Sequence, residues 1–235
     1  MLGPSGAKTT GIVLDAARQR GGAQPGVVTL LDRSRFGNDG AMTAITWVRL
    51  PSRQWVMSCN GVNSSVQIPN HPSLDPRTGD FTFSVWFNHP LADATSWQDE
   101  LFCKIGGTSR YQIHMRGALA GAAVNTLRVR VGSAAGLTTI DTVGTYNDAT
   151  WHLITVVVDN GTLVYVYMDG QFLISGAHAA GDIIPTSDLF IGSDQALTAA
   201  YFWPGLIGST EIYYYALTPG QVLKRYEATK RSFGR

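Results

Sequence analysis

The sequence predicts an all-β protein, two antiparallel sheets packed as a jelly-roll sandwich with one short C-terminal helix. Three observations carry that expectation. The stretch 151–172 reads as two strands and the start of a third, punctuated by Asn160-Gly161 and Asp169-Gly170. Each dipeptide offers the two positive-φ residues of a type I′ hairpin. The run 81–87 alternates, with Phe81, Phe83, Val85 and Phe87 on one side and Thr82, Ser84 and Trp86 on the other. The 26 glycines are scattered rather than periodic, which signals many tight turns and not collagen.

The elements follow in order. Residues 1–10 are expected to form a flexible lead-in, 11–228 a single domain, and 229–235 a basic, solvated tail. Strands are expected at 11–15, 27–31, 54–59, 65–68, 81–87, 101–105, 111–115 and 127–131. Within 127–131, Leu127, Val129 and Val131 share a face opposite Arg128 and Arg130, so one face is core and the other is wet. Further strands are expected at 188–192, 205–207 and 210–215. The one convincing helix begins where Thr218 can cap and Pro219 takes the first position. Its apolar side is Val222, Leu223 and Tyr226.

Bulk properties exclude several partners. A net charge of +1 gives no field that would draw in nucleic acid. No apolar run approaches the ~18 residues of a membrane helix, so no membrane insertion is expected. The start 1–10 has no basic region leading into an apolar core and is not expected to be a signal peptide. Arginine outnumbers lysine 14 to 4, a bias that assigns no function. The two cysteines, Cys59 and Cys103, are too few for a disulfide framework, and two reduced core thiols are favoured over one bridge.

Four segments resemble, in order, the laminin-G-like, concanavalin A-like lectin and glucanase domains. The loop Asp32-Arg33-Ser34-Arg35-Phe36-Gly37-Asn38-Asp39-Gly40 resembles that family's Asp-x-Ser-Gly-x-Gly-Asn-Asp-Gly loop, with Arg35 at a usual glycine. Cys59-Asn60-Gly61 through Pro69 resembles its Phe-Asp-Gly strand and turn. The strand 81–87 and the span from Trp151-His152 to Asp169-Gly170 resemble its central strands, and Gly205-Leu206-Ile207 with Ala216-Leu217-Thr218 its closing ones. The resemblance implies a mostly non-catalytic module that binds carbohydrate or protein, often with calcium. It extends to laminin-G-like proteins of tailed-phage particles, which implies a virion surface as one location and secretion as the other.

The resemblance also implies a calcium site at Asp32, Asn38 and Asp39, since a hard cation wants several oxygens on one loop. Against it stand Asx turns, which the same residues form without metal, and Ile207-Gly208, where relatives often carry an acid. Trp151-His152 lacks a nucleophile or paired acid and reads as scaffold. Gln112-Ile113-His114 matches a tripeptide of jelly-roll alginate lyases and places Gln112 and His114 on one strand face, but the companion motifs of those enzymes are missing. The Glu-x-Asp-x-x-Glu of jelly-roll glucanases is missing too.

A sugar site usually offers an aromatic platform beside polar groups. Trp97, Tyr146, Tyr201 and Trp203 are the candidates, Trp97 foremost because no core explains it, and at least one of the Tyr201 to Trp203 aromatics is expected in the core. The expectation is a non-catalytic surface-binding protein, a virion decoration or attachment protein that binds a capsid or other protein surface, glycan, or both. The alternatives are a secreted lectin module and a polysaccharide lyase or glucanase. A homo-oligomer is compatible with decoration of a symmetric surface.

Overall fold

A computed structural model of the protein describes residues 10–14, 28–91, 98–118, 124–198 and 201–235. The proposed lead-in therefore lies outside the described residues, except that Thr10 opens the first strand. The described strands form two eight-stranded antiparallel sheets. Sheet I comprises β1 (Thr10–Leu14), β4 (Thr46–Arg49), β5 (Trp55–Asn60), β7 (Phe81–Asn88), β12 (Trp151–Asp159), β13 (Leu163–Met168), β14 (Gln171–Ala177) and β16 (Pro204–Tyr213). Sheet II comprises β2 (Thr29–Leu30), β3 (Gly40–Thr43), β6 (Ser65–Ile68), β8 (Gln98–Gly106), β9 (Ser109–Arg116), β10 (Leu127–Ser133), β11 (Gly136–Asp141) and β15 (Leu189–Ile191). In sheet I the order is β14-β13-β12-β7-β16-β5-β4, with β1 also on β16; in sheet II it is β11-β10-β9-β8-β15-β6-β3-β2.

Strand alternation builds the core between the sheets. Phe81, Phe83, Val85 and Phe87 of β7 point inward and are fully buried. Phe83 stacks on Phe102 of β8 at 5.5 Å, and Phe81 meets the edge of Tyr111 of β9 at 5.6 Å. Offset and edge-on contacts of this kind add to area burial because the ring quadrupoles are complementary. Leu127, Val129 and Val131 join this core, as their spacing predicts.

The two marked hairpins differ. At Asp169-Gly170 both residues take positive φ, 52° and 79°, and Met168 pairs with Gln171. At the other, Gly161 has φ 102° but Asn160 has no positive φ, and three residues separate the paired Asp159 and Leu163. The expected two-residue turn is replaced because Asn160 has another task. Its side chain donates to the Gly181 carbonyl at 2.9 Å and accepts from Gly181 N–H at 3.2 Å. Strands β3, β4 and β11 escaped the sequence pattern. Each keeps at least half of its residues outside the buried class, so the apolar alternation is weak.

Helix α1 (Pro219–Thr229) carries the expected Thr218 cap, completed by Gln221 into a capping box. Val222 is buried while Leu223 remains exposed. The segment after it is not a solvated tail. Residues Lys230–Phe233 form a 3-10 turn whose Phe233 is buried against Trp86, ring to ring at 4.3 Å, and against Trp151 at 4.8 Å. Arg235 closes the contact with an ion pair to Asp169 at 3.0 Å. One aromatic residue among basic ones is enough, because burying a phenyl ring stabilises by roughly 1.5–3 kcal/mol.

Both cysteines are free and buried, Cys59 in sheet I and Cys103 in sheet II. Burial pushes the Cys59 thiol up to about 12, which leaves it unreactive. Among the described residues no helix is long and apolar enough to cross a membrane.

Candidate functional site

The outer faces of the two sheets have opposite chemistry. Outside sheet I, Trp86, Trp151, Leu153 and Val56 cluster with Phe233, while Val157, Tyr167 and Tyr213 cluster with Leu217 and Val222. A cavity of about 10 Å³ lies among Trp86, Leu153, Glu211 and Arg225, room for about one water. The protein's own C-terminal segment occupies this face.

Outside sheet II the pattern is polar. In β9, Tyr111, Ile113 and Met115 belong to the core, so Arg110, Gln112, His114 and Arg116 point outward. In β10, Arg128 and Arg130 do the same. Register then sets rows across the sheet. Glu100 pairs with His114, His114 with Arg128, and Arg128 with Asp141. In the next row Cys103 pairs with Gln112, Gln112 with Arg130, and Arg130 with Thr139.

The centre of the face is buried. Glu100 is fully buried, and its Oε2 accepts from Gln112 Nε2 at 2.9 Å and Gln98 Nε2 at 3.1 Å. Burial pushes its carboxyl well above the usual range despite the Gln112 hydrogen bond, and the nearby charge of Asp194 adds to the rise. His114 is pushed well below its ordinary value, first by burial and then by the charges of Arg130 and Arg128. The two groups, each pushed toward its uncharged form, lie side by side, His114 Nδ1 4.0 Å from Glu100 Oε2.

The rim is cationic. Arg128 holds Asp141 with two bonds, 2.6 and 2.7 Å, and Arg116 reaches the same carboxylate at 3.3 Å. The Arg128 hydrogen bonds hold Asp141 below the usual range. Arg110 donates to the Gly107 carbonyl. Among the described residues neither Arg110 nor Arg130 forms an ion pair, and both are only partly buried. Hydrogen-bonding capacity is left over: among the described residues, Glu100 Oε1, Gln112 Oε1, His114 Nδ1, Ser193 Oγ and the Nε atoms of Arg110 and Arg130 are buried without a partner. Unmet groups are rare in folded proteins and mark waters, ions or ligands.

The residues singled out in the sequence fall elsewhere for the most part. Trp97 lies outside the described residues. Trp203 is fully buried, edge-on to Phe87 at 5.7 Å and to His89 at 5.0 Å, so it is a core residue and offers no platform. Tyr146 is also buried, its hydroxyl donating to the Val143 carbonyl at 2.9 Å and its ring edge-on to His152. Tyr201 is half-buried beside the polar face, and its carbonyl accepts from Glu100 N–H at 3.1 Å.

At the loop read as a calcium site, the oxygens close a turn. Asp32 Oδ1 accepts from Ser34 N–H at 2.8 Å, and Oδ2 from Asn38 N–H at 2.8 Å and Ser34 Oγ at 2.6 Å. Asp39 Oδ1 accepts from Asp32 N–H at 2.7 Å, and the Asn38 amide faces Ser73 Oγ. This is Asx-turn chemistry, with the carboxylates engaged by backbone donors. Among the described residues no group of three or more His, Cys, Asp or Glu side chains is arranged to hold a metal.

Trp151-His152 is a latch. His152 Nδ1 meets Asp169 at 2.8 Å and Nε2 meets Asp148 at 3.1 Å, and Asp169 Oδ1 also accepts from Leu153 N–H at 2.9 Å. Burial opposes the imidazolium, but the bonds to Asp169 and Asp148 outweigh it and raise the His152 pKa. The latch pins the Asp169-Gly170 turn in its left-handed conformation.

Glu100 escaped sequence reasoning because β8 begins at Gln98 and carries a bulge between Glu100 and Phe102, which resets which residues share a face. The alternation Arg110-x-Gln112-x-His114-x-Arg116 was the signal that could have found its partners.

A model of the concanavalin A-like lectin/glucanases superfamily matches residues 60–223. No curated protein matches the sequence. Among solved structures, the binding domain of Paraclostridial Mosquitocidal Protein 1 is similar with a TM-score of 0.72 at 15% identity, over 94% of this chain and 52% of that one. The binding domain of botulinum neurotoxin serotype G gives 0.69 at 15%, over 94% and 51%. That of botulinum neurotoxin DC, in complex with SialylT, gives 0.67 at 9%, over 94% and 51%. The chain spans about half the length of these solved chains, and identities this low carry the fold alone. The family match covers most of the sequence, and the chain belongs to the concanavalin A-like lectin/glucanases superfamily.

Proposed function

We propose that this domain is a non-catalytic surface-binding protein that recognises glycan, alone or together with protein, through the outer face of sheet II. Its setting in this proposal is a virion surface, as a decoration or attachment protein. The observation that carries the reading is the asymmetry of the sandwich. One outer face is sealed by the C-terminal segment, while the other holds partly exposed arginines around buried, incompletely bonded polar groups. The binding domains of similar fold support the same class.

Chemistry argues against turnover. Hydrolysis of a glycosidic bond uses two carboxyl groups about 5–9.5 Å apart that both reach the substrate. Glu100 is fully enclosed, and Asp141, three strands away in the same row, lies roughly 14 Å off at a strand spacing of about 4.8 Å. Asp194, nearer to Glu100, has both oxygens engaged by Thr198 at 2.8 and 3.1 Å. Because the Asp32 loop is self-bonded, binding in this proposal needs no calcium.

The test is a glycan array probed with the purified domain, with and without a chelator, beside analysis of purified particles for the chain. Glycan binding that survives chelation and travels with particles is the expected result. Turnover of alginate or glucan that disappears in His114→Ala would overturn the non-catalytic reading. A chain found only free, never on particles, would overturn the virion setting.

A further inference from the structure

We infer that the free edge of β4, with the arginines at its end, is a docking strip for an extended, acidic segment of a partner protein, which adds to sheet I as a further strand. The strip lies apart from the outer face of sheet II, and the inference stands whether or not that face takes glycan. Three observations lead there.

The first is an open ladder. β4 ends the strand order of sheet I, and among the described residues only β5 pairs with it. Leu50 N–H donates to the Gln54 carbonyl at 2.7 Å. Alternation along an antiparallel ladder then turns the backbone groups of Val48 and Thr46 toward β5 as well. The N–H and C=O groups of Trp47 and Arg49 are left pointing to the open side. Thr46, Val48 and Arg49 are exposed, and an edge of this kind is a template for pairing with another chain. Other ends of the sheets are blunted. β2 has two residues, and Thr138 of β11 donates to the Ala177 carbonyl of β14 at 3.0 Å.

The second is charge. No acidic residue occurs between Asp39 and Asp75, so the charged residues of the β4–β5 hairpin are Arg49 and Arg53. Its tip touches the C-terminal turn, where Ser52 Oγ donates to the Ser232 carbonyl at 2.5 Å. That contact brings Arg231 to the same end of the edge. Lys230 and Arg235 are paired with Glu227 and Asp169. Arg49, Arg53 and Arg231 are exposed and, among the described residues, form no ion pair. The third observation selects the occupant. Phosphates of a nucleic acid only accept hydrogen bonds and would leave the Trp47 and Arg49 carbonyls unmatched. An extended peptide supplies donors and acceptors at strand spacing. A second copy of β4 would bring the same arginines and no acid, setting like charge against like. An acidic strand answers both the ladder and the guanidinium groups, which grip carboxylates two oxygens at a time.

The test titrates short fluorescein-labelled peptides into the full chain and reads anisotropy. One peptide alternates valine and glutamate, a second alternates valine and lysine, and a third is the glutamate peptide with all its amides N-methylated. The expected result is that the glutamate peptide binds at least tenfold tighter than either of the others and that added salt weakens it. Amide exchange at Trp47 and Arg49 should slow when it binds. Arg53→Glu is expected to cut the affinity tenfold or more; a thermal melt checks its fold, and Arg231→Glu serves if it is not folded. Equal binding of the N-methylated peptide, or unchanged exchange at Trp47 and Arg49, would mean charge attraction without strand addition and would overturn the inference. Absence of binding at millimolar peptide overturns it too. A dimer whose Trp47 and Arg49 amides are protected without peptide gives the edge to a second copy. A DNA oligonucleotide that outbinds the glutamate peptide and is lost in Arg53→Glu gives it to nucleic acid. Either outcome overturns the acidic-partner inference, and none of them touches glycan binding on sheet II.

Discussion

The outer faces of the two sheets are made from the same kind of strand and end in opposite states. On sheet I, Trp86 of β7 is buried by a segment from the far end of the chain; its indole N–H donates to Thr229, 143 residues away, at 3.1 Å. On sheet II, His114 and Gln112 are buried to the same degree but among polar neighbours with bonding capacity unspent. The difference teaches that burial alone does not distinguish scaffold from site. What distinguishes them is whether the buried groups are satisfied. Apolar rings are satisfied by contact, whereas buried polar atoms need partners and lose about 1–3 kcal/mol each without them.

The comparison can be broken first on its stable side. Trp86→Ala removes the ring on which Phe233 and Tyr226 stack and is expected to cost about 3–5 kcal/mol in urea unfolding. A loss below about 1 kcal/mol would mean that the C-terminal segment is not seated on sheet I in solution.

The polar side is sharpened by pH. Between the unfolded carboxyl value of about 4.3 and the raised folded value of Glu100, the native state keeps a proton that the unfolded chain has lost. Stability from this group therefore falls as pH rises through that window. Glu100→Gln removes this component, so its stability relative to wild type should climb from pH 4 to pH 7. A difference that stays flat with pH would mean that Glu100 is not held protonated.

A smaller effect tests the turn beneath the helix. Gly170 has φ 79°, and an added Cβ would sit 3.0 Å from Tyr226 Cβ. Gly170→Ala is expected to cost about 1–3 kcal/mol, read from the midpoint of thermal unfolding. Smallest of all, Arg130→Gln should change stability by no more than about 0.5 kcal/mol, because a half-exposed side chain without an ion pair is being replaced. A large loss there would reassign Arg130 from ligand binding to scaffold.

Much of the scaffold was readable in the sequence, and most of the site was not. Alternation in 81–87 and 127–131 named the inward residues correctly, and Asp169-Gly170 announced its turn. Thr218-Pro219 did the same for the helix start. These signals are local, set by φ, by the two-residue period of a strand and by one side chain capping the next turn. The aromatic candidates show the limit. Trp203 and Tyr146 look like exposed platforms when judged by polar or glycine-rich neighbours, yet both are buried, Trp203 against Phe87 and His89 of a strand region far away in sequence. Asp32 and Asp39 have the composition of a cation loop, and only the folded loop shows which backbone donors Asp32 Oδ2 and Asp39 Oδ1 accept from.

By itself, then, the sequence determined the all-β class, the sandwich family, the helix cap and the inward face of the central strands, because each depends on residues within a few positions of one another. Only the tertiary structure decided which outer face is sealed by Phe233. It also decided that burial pushes Glu100 and His114 toward their uncharged forms, and that Gln112, Arg130 and Glu100 meet in one place. Those outcomes depend on cross-strand register and on burial. Both are properties of segments tens of residues apart, and desolvation shifts a carboxyl or an imidazole only once distant strands have closed around it.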